Sequence, residues 1–365
     1  MKLIFVVSED YYFFMHWMPL AVAAKENGFD ISVVTRCRDH YRAIEEAGIK
    51  VCPFEMDRRG LNPFILVFEV MALARILLRE SPDLLHLLAL RPIIVGGLAA
   101  RIAGIRRVLF SLTGMGYLFT GSGPVWARRI IEKTLSYLLG KGLTIIQNSD
   151  DLRQLVSLGI PFTQIRLISG ATGIDTNRFR PQVPESGSLV VMMASRLLWD
   201  KGVGEFVNAA QLLKNTKTRF VLVGSIDSGN PASISNQDID QWVAEEVVEW
   251  WGHSDDMPSV LAQAEIICLP SYREGLPVVL LEAMACAKPC IATDVPGCRE
   301  AVLHEVNGLL VPPQDGNALS LAIARLLGDS NIRKRMGLSG RELVIKKFSQ
   351  ERVIGSTLAL YREIM

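Results

Sequence analysis

Short apolar runs of strand type alternate with longer stretches of helix formers along the chain, and the alternation begins afresh past the midpoint. Strand-like runs fall near 2–7, 30–35, 49–53, 83–87, 107–112, 143–147 and 165–168, with helical segments between them. Strands separated by crossover helices pair in parallel, and open parallel sheets bind ligands at the carboxyl ends of their strands. Gln182-Val-Pro-Glu-Ser-Gly187 then interrupts regular structure, and strands resume near 188–194, 219–223, 247–250 and 265–269. With 365 residues and 49% apolar content the chain is long enough for two such cores. The expected class is α/β, with one domain over 1–170 and a second over 184–348.

The net charge of +1 conceals an asymmetry. Residues 1–183 carry 22 Lys+Arg against 16 Asp+Glu, a balance of +6, and the remaining 17 against 22 give −5. A basic first half suits an anionic surface or acceptor but is too mild for a nucleic-acid binder, whose basic, aromatic-interleaved modules are missing. The six cysteines, at 37, 52, 268, 286, 290 and 298, form no Cys-x-x-Cys pair and fall mostly in apolar runs. They read as reduced core thiols of a cytosolic protein. Met1–Val7 is a strand that meets charge at Glu9 and Asp10, so no secretory signal is expected. The run Ile65–Leu78 is broken by Glu69 and Arg75, and Val108–Ala127 by several glycines and Pro124, so neither is expected to span a bilayer.

Chemistry concentrates in Ser271–Glu300. A strand-like run precedes it, Pro277 suits a first helical position, and an apolar helix is expected to end near Ala287. Glu274, Gly275 and Leu276 then form a loop over a helix N-terminus, whose free N–H groups favour an anion or hydroxyl oxygens. Glu282 lies just over one turn inside, among Val278, Val279, Leu281 and Met284. A carboxylate there is costly to bury alone, and a ribose diol would satisfy it with two donated hydrogen bonds. Upstream, Arg196 at a strand end and Lys201 at a helix start are expected to converge on a diphosphate, which would replace a metal. Asp238-Ile-Asp240 stands at a helix start and reads as capping.

In the first half, the turn Ser8–Trp17 is aromatic and lacks glycine. His16 there is either an acceptor-side hydrogen-bonding group or a solvent-facing residue at a helix start. Ser111–Phe119 brings Thr113 beside Gly114 and Gly116, where backbone can approach a ligand closely. His86 ends the fourth strand as a lone histidine in an apolar run, more often a satisfied core residue than a ligand. Segments 61–79 and 124–139 mix large apolar residues with Arg75, Arg79, Arg128, Arg129 and Lys133, as on a helix lying on an anionic membrane, or as crossover helices packed on a sheet.

Glu274 and Glu282 in the context Glu-Gly-Leu-Pro resemble the Glu-x7-Glu signature of the retaining glycosyltransferases of family 4. Arg196 and Lys201 resemble the Arg-x4-Lys of that family, and Gly173-Ile-Asp-Thr-Asn-Arg-Phe-Arg-Pro181 its interdomain linker. The likeness is closest to bacterial enzymes that add an α-linked N-acetylhexosamine, GalNAc or GlcNAc, to polyprenyl-diphosphate-linked sugars in O-antigen, capsule or N-glycan assembly. It implies the GT-B fold, two Rossmann-like domains with parallel sheets facing across a cleft, and a last helix 350–365 packing back on the first domain. It implies retaining transfer from a UDP-sugar, with no metal or other cofactor. Arg196, Lys201 and the helix at Pro277 would hold UDP, Glu274 the sugar, Glu282 the ribose, and His253 the region of the base. Gly275, Leu276, Pro277, Gly114 and Gly116 would line the donor, and His16 and Thr113 the acceptor. The implied place is the cytoplasmic face of the cell membrane, bound peripherally. Two departures stand out: the glycine-free aromatic turn, and Ala287 where the family usually has glycine. A nucleotide-sugar epimerase on the same fold and a non-catalytic membrane scaffold are the rival readings.

Overall fold

The computed structural model describes every residue except 58–61, 114–124, 169, 171, 183–188, 215–216 and 228, and of 125–128 only the backbone. Gly114 and Gly116 therefore lie outside the described residues. The described residues form two compact units, Met1–Gly173 with Glu351–Met365, and Ile174–Gln350. Ile174 exchanges backbone hydrogen bonds with the returning chain: its N–H donates to Phe348 O at 2.8 Å, and its carbonyl accepts from Gln350 N at 2.9 Å. The first and last segments of the second unit are thus paired.

The first unit holds seven parallel strands: β1 (Lys2–Glu9), β2 (Asp30–Arg36), β3 (Lys50–Pro53), β4 (Leu84–Leu88), β5 (Val108–Leu112), β6 (Leu143–Ile146) and β7 (Ile165–Leu167). Their order is β3-β2-β1-β4-β5-β6-β7. The second holds six: β8 (Leu189–Ala194), β9 (Thr218–Val223), β10 (Glu249–Trp250), β11 (Ile266–Leu269), β12 (Cys290–Thr293) and β13 (Gly308–Val311), ordered β10-β9-β8-β11-β12-β13. Each is an open parallel sheet of the doubly wound, Rossmann-like kind. The order reverses between β1 and β4 and between β8 and β11. Such a reversal opens a crevice at the carboxyl ends of the strands, where ligands of doubly wound sheets bind.

Both faces of each sheet are covered, which is why the strands read as apolar runs rather than alternating ones. On the first sheet, Ile4, Val6, Leu85 and Leu87 face the helices Pro63–Glu80 and Leu90–Ile102, while Leu3, Phe5 and Leu84 pack with Phe13, Leu20, Ile44 and Tyr361. Tyr361 belongs to the last helix, Gln350–Ile364, so this helix packs on the first sheet.

His86 is fully buried there, with Nδ1 2.7 Å from Tyr361 Oη and Nε2 2.7 Å from Ser111 Oγ. Burial drives its pKa down to about 3, so it stays neutral and ties the last helix to β4 and β5. It is a satisfied core histidine rather than a ligand.

The helix Pro63–Glu80 buries Val70, Leu73, Ala74 and Leu77 and leaves Phe64 and Phe68 84% and 71% exposed. Its two carboxylates are buried and paired: Glu69 with Arg91 at 2.6 Å, and Glu80 with Lys2 and Lys50 at 2.6 and 2.7 Å. Arg75 and Arg79 face solvent. Among the described residues no helix is long and apolar enough to cross a membrane.

Candidate functional site

The crevice between β8 and β11 is bounded by the loops that leave those strands, residues 195–202 and 270–277. Three close approaches hold them. Gly202, at φ +80°, leaves no room for a Cβ, which would stand 2.2 Å from Pro270 O. Gly224, at φ +138°, packs as tightly on Ser195 O, and Gly297, at φ +80°, on the carbonyls of Glu274 and Gly275. A side chain at Gly202 would push the two loops apart, and one at Gly224 or Gly297 would displace the loop backbone it packs on. Tyr272 adds a strut, its N–H donating to Asp200 O at 2.9 Å and its hydroxyl to Glu205 Oε1 at 2.8 Å. Burial and the neighbouring Glu205 push the Tyr272 phenol up to about 12, so it stays protonated and keeps donating.

Within this frame Lys201 Nζ meets Glu274 Oε1 at 2.6 Å, with the two side chains only 19% and 12% exposed. Lys201 ends a 3-10 turn, Trp199–Lys201, ahead of the helix Val203–Leu212 rather than starting that helix. Arg196 is not drawn into this pair. Its guanidinium is 62% exposed and 3.4 Å from Asp227, so the two cations face different carboxylates.

Pro277 caps the helix Val278–Ala285 instead of opening it, so the first free N–H of the helix is that of Val278. Leu276 and Pro277 are buried and Gly275 is partly exposed. Glu282 lies on this helix between Leu281 and Ala283, both fully buried. Among the described residues no hydrogen bond to its carboxylate is found. Burial therefore raises its pKa to about 7, against which the Arg178 cation pulls downward. A half-buried carboxylate without a donor is a site that a ligand's hydroxyl groups would complete.

The helix closes at Ala285, and Ala287 adopts φ +56° in the left-handed region. The chain needs the cap that glycine would make without strain.

His253 is 60% exposed in the loop after β10, 3.1 Å from Asp255. Asp238 forms a reciprocal capping box with Ser235 at the start of the helix Asn236–Ala244, as its position suggested. Among the described residues no group of three or more potential ligands could hold a metal ion.

In the first unit, His16 ends the short helix Asp10–His16 and is half-buried, and its carbonyl accepts from Thr172 Oγ1 at 2.8 Å. Burial lowers its pKa. Thr113 follows β5, and the ring centroid of Tyr12 is 5.0 Å from that of His16. Sequence reasoning missed Tyr272, Arg178 and the packing glycines 202, 224 and 297. The one legible signal for Gly297 was its place after Val295-Pro296, a turn dipeptide pattern.

Residues 175–343 match the family model described as glycosyl transferases group 1, and residues 2–149 that described as glycosyl transferase 4-like. The N,N'-diacetylbacillosaminyl-diphospho-undecaprenol alpha-1,3-N-acetylgalactosaminyltransferase of Campylobacter jejuni is 28% identical, over 95% of each chain. The UDP-Gal:alpha-D-GlcNAc-diphosphoundecaprenol alpha-1,3-galactosyltransferase of Escherichia coli is 24% identical over 81% of this chain and 79% of its own. Among solved structures, Anabaena HepE in complex with UDP superposes over the full length of both chains with a TM-score of 0.80 at 19% identity.

Proposed function

The chain belongs to the family 4 glycosyltransferases of the GT-B fold, and from that premise we propose that it is a retaining transferase. It moves an N-acetylhexosamine, GalNAc or GlcNAc, from a UDP-sugar to a polyprenyl-diphosphate-linked saccharide. The observation that carries the donor half is the Lys201–Glu274 pair at the β8/β11 reversal, with the unpartnered Glu282 eight residues on. The acceptor half draws on the two relatives, whose names specify undecaprenol-diphosphate acceptors.

Lys201 neutralises the diphosphate as its charge develops, supported by the free N–H groups of the helix that begins at Val278. Arg196 is exposed and swings from Asp227 to the same diphosphate. Glu274 accepts from sugar hydroxyls and Glu282 from the ribose diol. The acceptor oxygen bonds to the anomeric carbon on the face from which the phosphate oxygen departs, and its proton passes to that leaving phosphate. A cation clamp of this kind supplies the charge stabilisation that a bound metal would otherwise give, so activity is expected without one.

Long-chain acceptors lie in a membrane, and the helix Pro63–Glu80 suits its surface. Its acids are turned inward and neutralised, its arginines face out, and Phe64 and Phe68 stand proud of the unit. The enzyme therefore works as a peripheral protein on the cytoplasmic face of the membrane.

The test is incubation with a panel of UDP-sugars and short polyprenyl-diphosphate sugars, with products weighed. A mass gain of one N-acetylhexosamine on the acceptor supports the reading. Interconversion of UDP-sugars without an acceptor would replace it with epimerisation.

A further inference from the structure

Lys201 reaches the donor site on a flexible aliphatic stem from a single 3-10 turn, Trp199–Lys201, an element whose own hydrogen bonds are poorly aligned. Its Nζ nevertheless stands at one defined place, 2.6 Å from Glu274 Oε1. Gly202 against Pro270 sets the spacing of the two loops. The bearing of Lys201 within that spacing depends on what holds the residues on either side of it.

Tyr272 holds both. Its N–H donates at 2.9 Å to the carbonyl of Asp200, the residue before Lys201, and its hydroxyl donates at 2.8 Å to Oε1 of Glu205, one turn beyond Lys201. Tyr272 in turn lies just ahead of Glu274 in the same loop. One residue thus braces the segment of the cation from the loop of the carboxylate.

Glu205 stands in the first turn of the helix Val203–Leu212. Among the described residues the Tyr272 hydroxyl is the hydrogen-bond donor to its carboxylate, for Oε2 is buried and has no partner. A carboxylate satisfied on one oxygen only is costly, and an apolar group would fill the same space more cheaply. Its charge strengthens the one bond it accepts. The Tyr272 hydroxyl is engaged in that bond, so it is not a ligand for the substrate.

We infer that Tyr272 and Glu205 are a positioning pair: neither touches the substrate, and the hydrogen bond between them aims Lys201 at the donor diphosphate. This rests on Lys201 holding that diphosphate, as proposed above. All four residues belong to the second unit, so the pair acts within the β8/β11 crevice alone.

UDP carries the full charge that develops on the leaving group, so its affinity reads the aim of Lys201 whichever sugar is transferred. The experiment is calorimetric titration of UDP into the wild type, Tyr272→Phe, Lys201→Ala and the double variant, with melting curves on the same samples. Tyr272→Phe keeps the ring and the backbone bond to Asp200 and removes only the bond to Glu205. It should raise the Kd for UDP by roughly three- to tenfold, a fraction of what a hydrogen bond to a charged group is worth. In the Lys201→Ala background the same substitution should change the Kd by less than about twofold, because the group it aims is gone. Glu205→Ala should reproduce Tyr272→Phe, whereas Glu205→Gln keeps an acceptor oxygen and should bind UDP to within about twofold of the wild type.

An unchanged Kd in Tyr272→Phe would overturn the pair. So would an equal loss with and without Lys201, because a merely structural brace weakens the site whatever stands at that position. Should Tyr272→Phe fail to fold, Glu205→Ala combined with Lys201→Ala makes the same comparison. The broader reading fails in a different way, through a Lys201→Ala protein that binds UDP as tightly as the wild type, and that result would take the pair with it.

Discussion

Lys201 Nζ and Glu274 Oε1 lie 2.6 Å apart at the carboxyl ends of β8 and β11, joining the two loops that meet where the sheet order reverses. In the free protein each neutralises the other. A donor diphosphate and its sugar would separate them, the cation turning to phosphate and the carboxylate to hydroxyls.

Removing the cation should therefore cost catalysis far more than stability. Lys201→Ala is expected to lower kcat by about 100- to 1000-fold, the usual loss for one well-placed stabilising group. The melting temperature should fall only slightly. A steady-state assay with melting curves on the same samples checks this, and a kcat within threefold of wild type would remove Lys201 from the reaction.

Glu282 makes stability depend on pH in an unusual direction. Its folded pKa, about 7, lies above the ordinary 4.5, so the folded state binds the extra proton. The favourable contribution is whole below pH 4.5 and is lost as pH rises through 7, amounting to about 3 kcal/mol at most. Glu282→Gln should remove this slope, gaining on the wild type between pH 5 and pH 8 in urea unfolding. Parallel curves for the two proteins would show that the carboxyl is not protonated in the fold.

Ala287 at φ +56° follows the helix Val278–Ala285, and its carbonyl is fixed by Gly337, where a Cβ would come within 2.0 Å. The conformation cannot relax without moving the helix Ser330–Leu343. Ala287→Gly should relieve a left-handed alanine and gain about 0.5–1 kcal/mol, after the entropy glycine restores to the unfolded chain. A lower melting temperature for this variant would contradict that strain.

Membrane attachment should reside in the first unit. Replacing Phe64 and Phe68 with Ser, or Arg75 and Arg79 with Glu, should release the protein from anionic vesicles. Each basic residue near such a surface is worth about 1 kcal/mol, and salt weakens the attraction. Transfer to a short soluble acceptor should persist. Undiminished vesicle binding by both variants would place docking elsewhere.

The two sheets were legible because parallel strands buried on both faces leave plain apolar runs, as Leu84–Leu88 and Ile266–Leu269 do. Edge strands were less so: β10 has only Glu249 and Trp250, because one neighbour leaves little of it buried. Glu282 could be singled out because a carboxylate among Val278, Val279, Leu281 and Met284 needs a reason, whereas Glu274 and Lys201 were singled out by their places beside helix starts and by resemblance. Arg196 shows the limit, since spacing cannot say that a flexible exposed guanidinium turns to Asp227. Tyr272 and Gly297 were hidden for another reason. Their partners, Glu205 and the carbonyls of Glu274 and Gly275, are set by how loops pack, and nothing local announces such contacts. The aromatic turn was visible as a departure, but the Asp10 carboxylate that opens it takes the backbone N–H of His40, in a loop some 30 residues away.

The most direct measurement is calorimetric titration of UDP-sugar into the wild type and Glu282→Ala, both in excess chelator. Binding by the wild type without metal, weakened at least tenfold in the variant by loss of two charge-assisted hydrogen bonds, is the predicted result. Equal affinity in the two proteins, or wild-type binding only once manganese is restored, would contradict the donor site described.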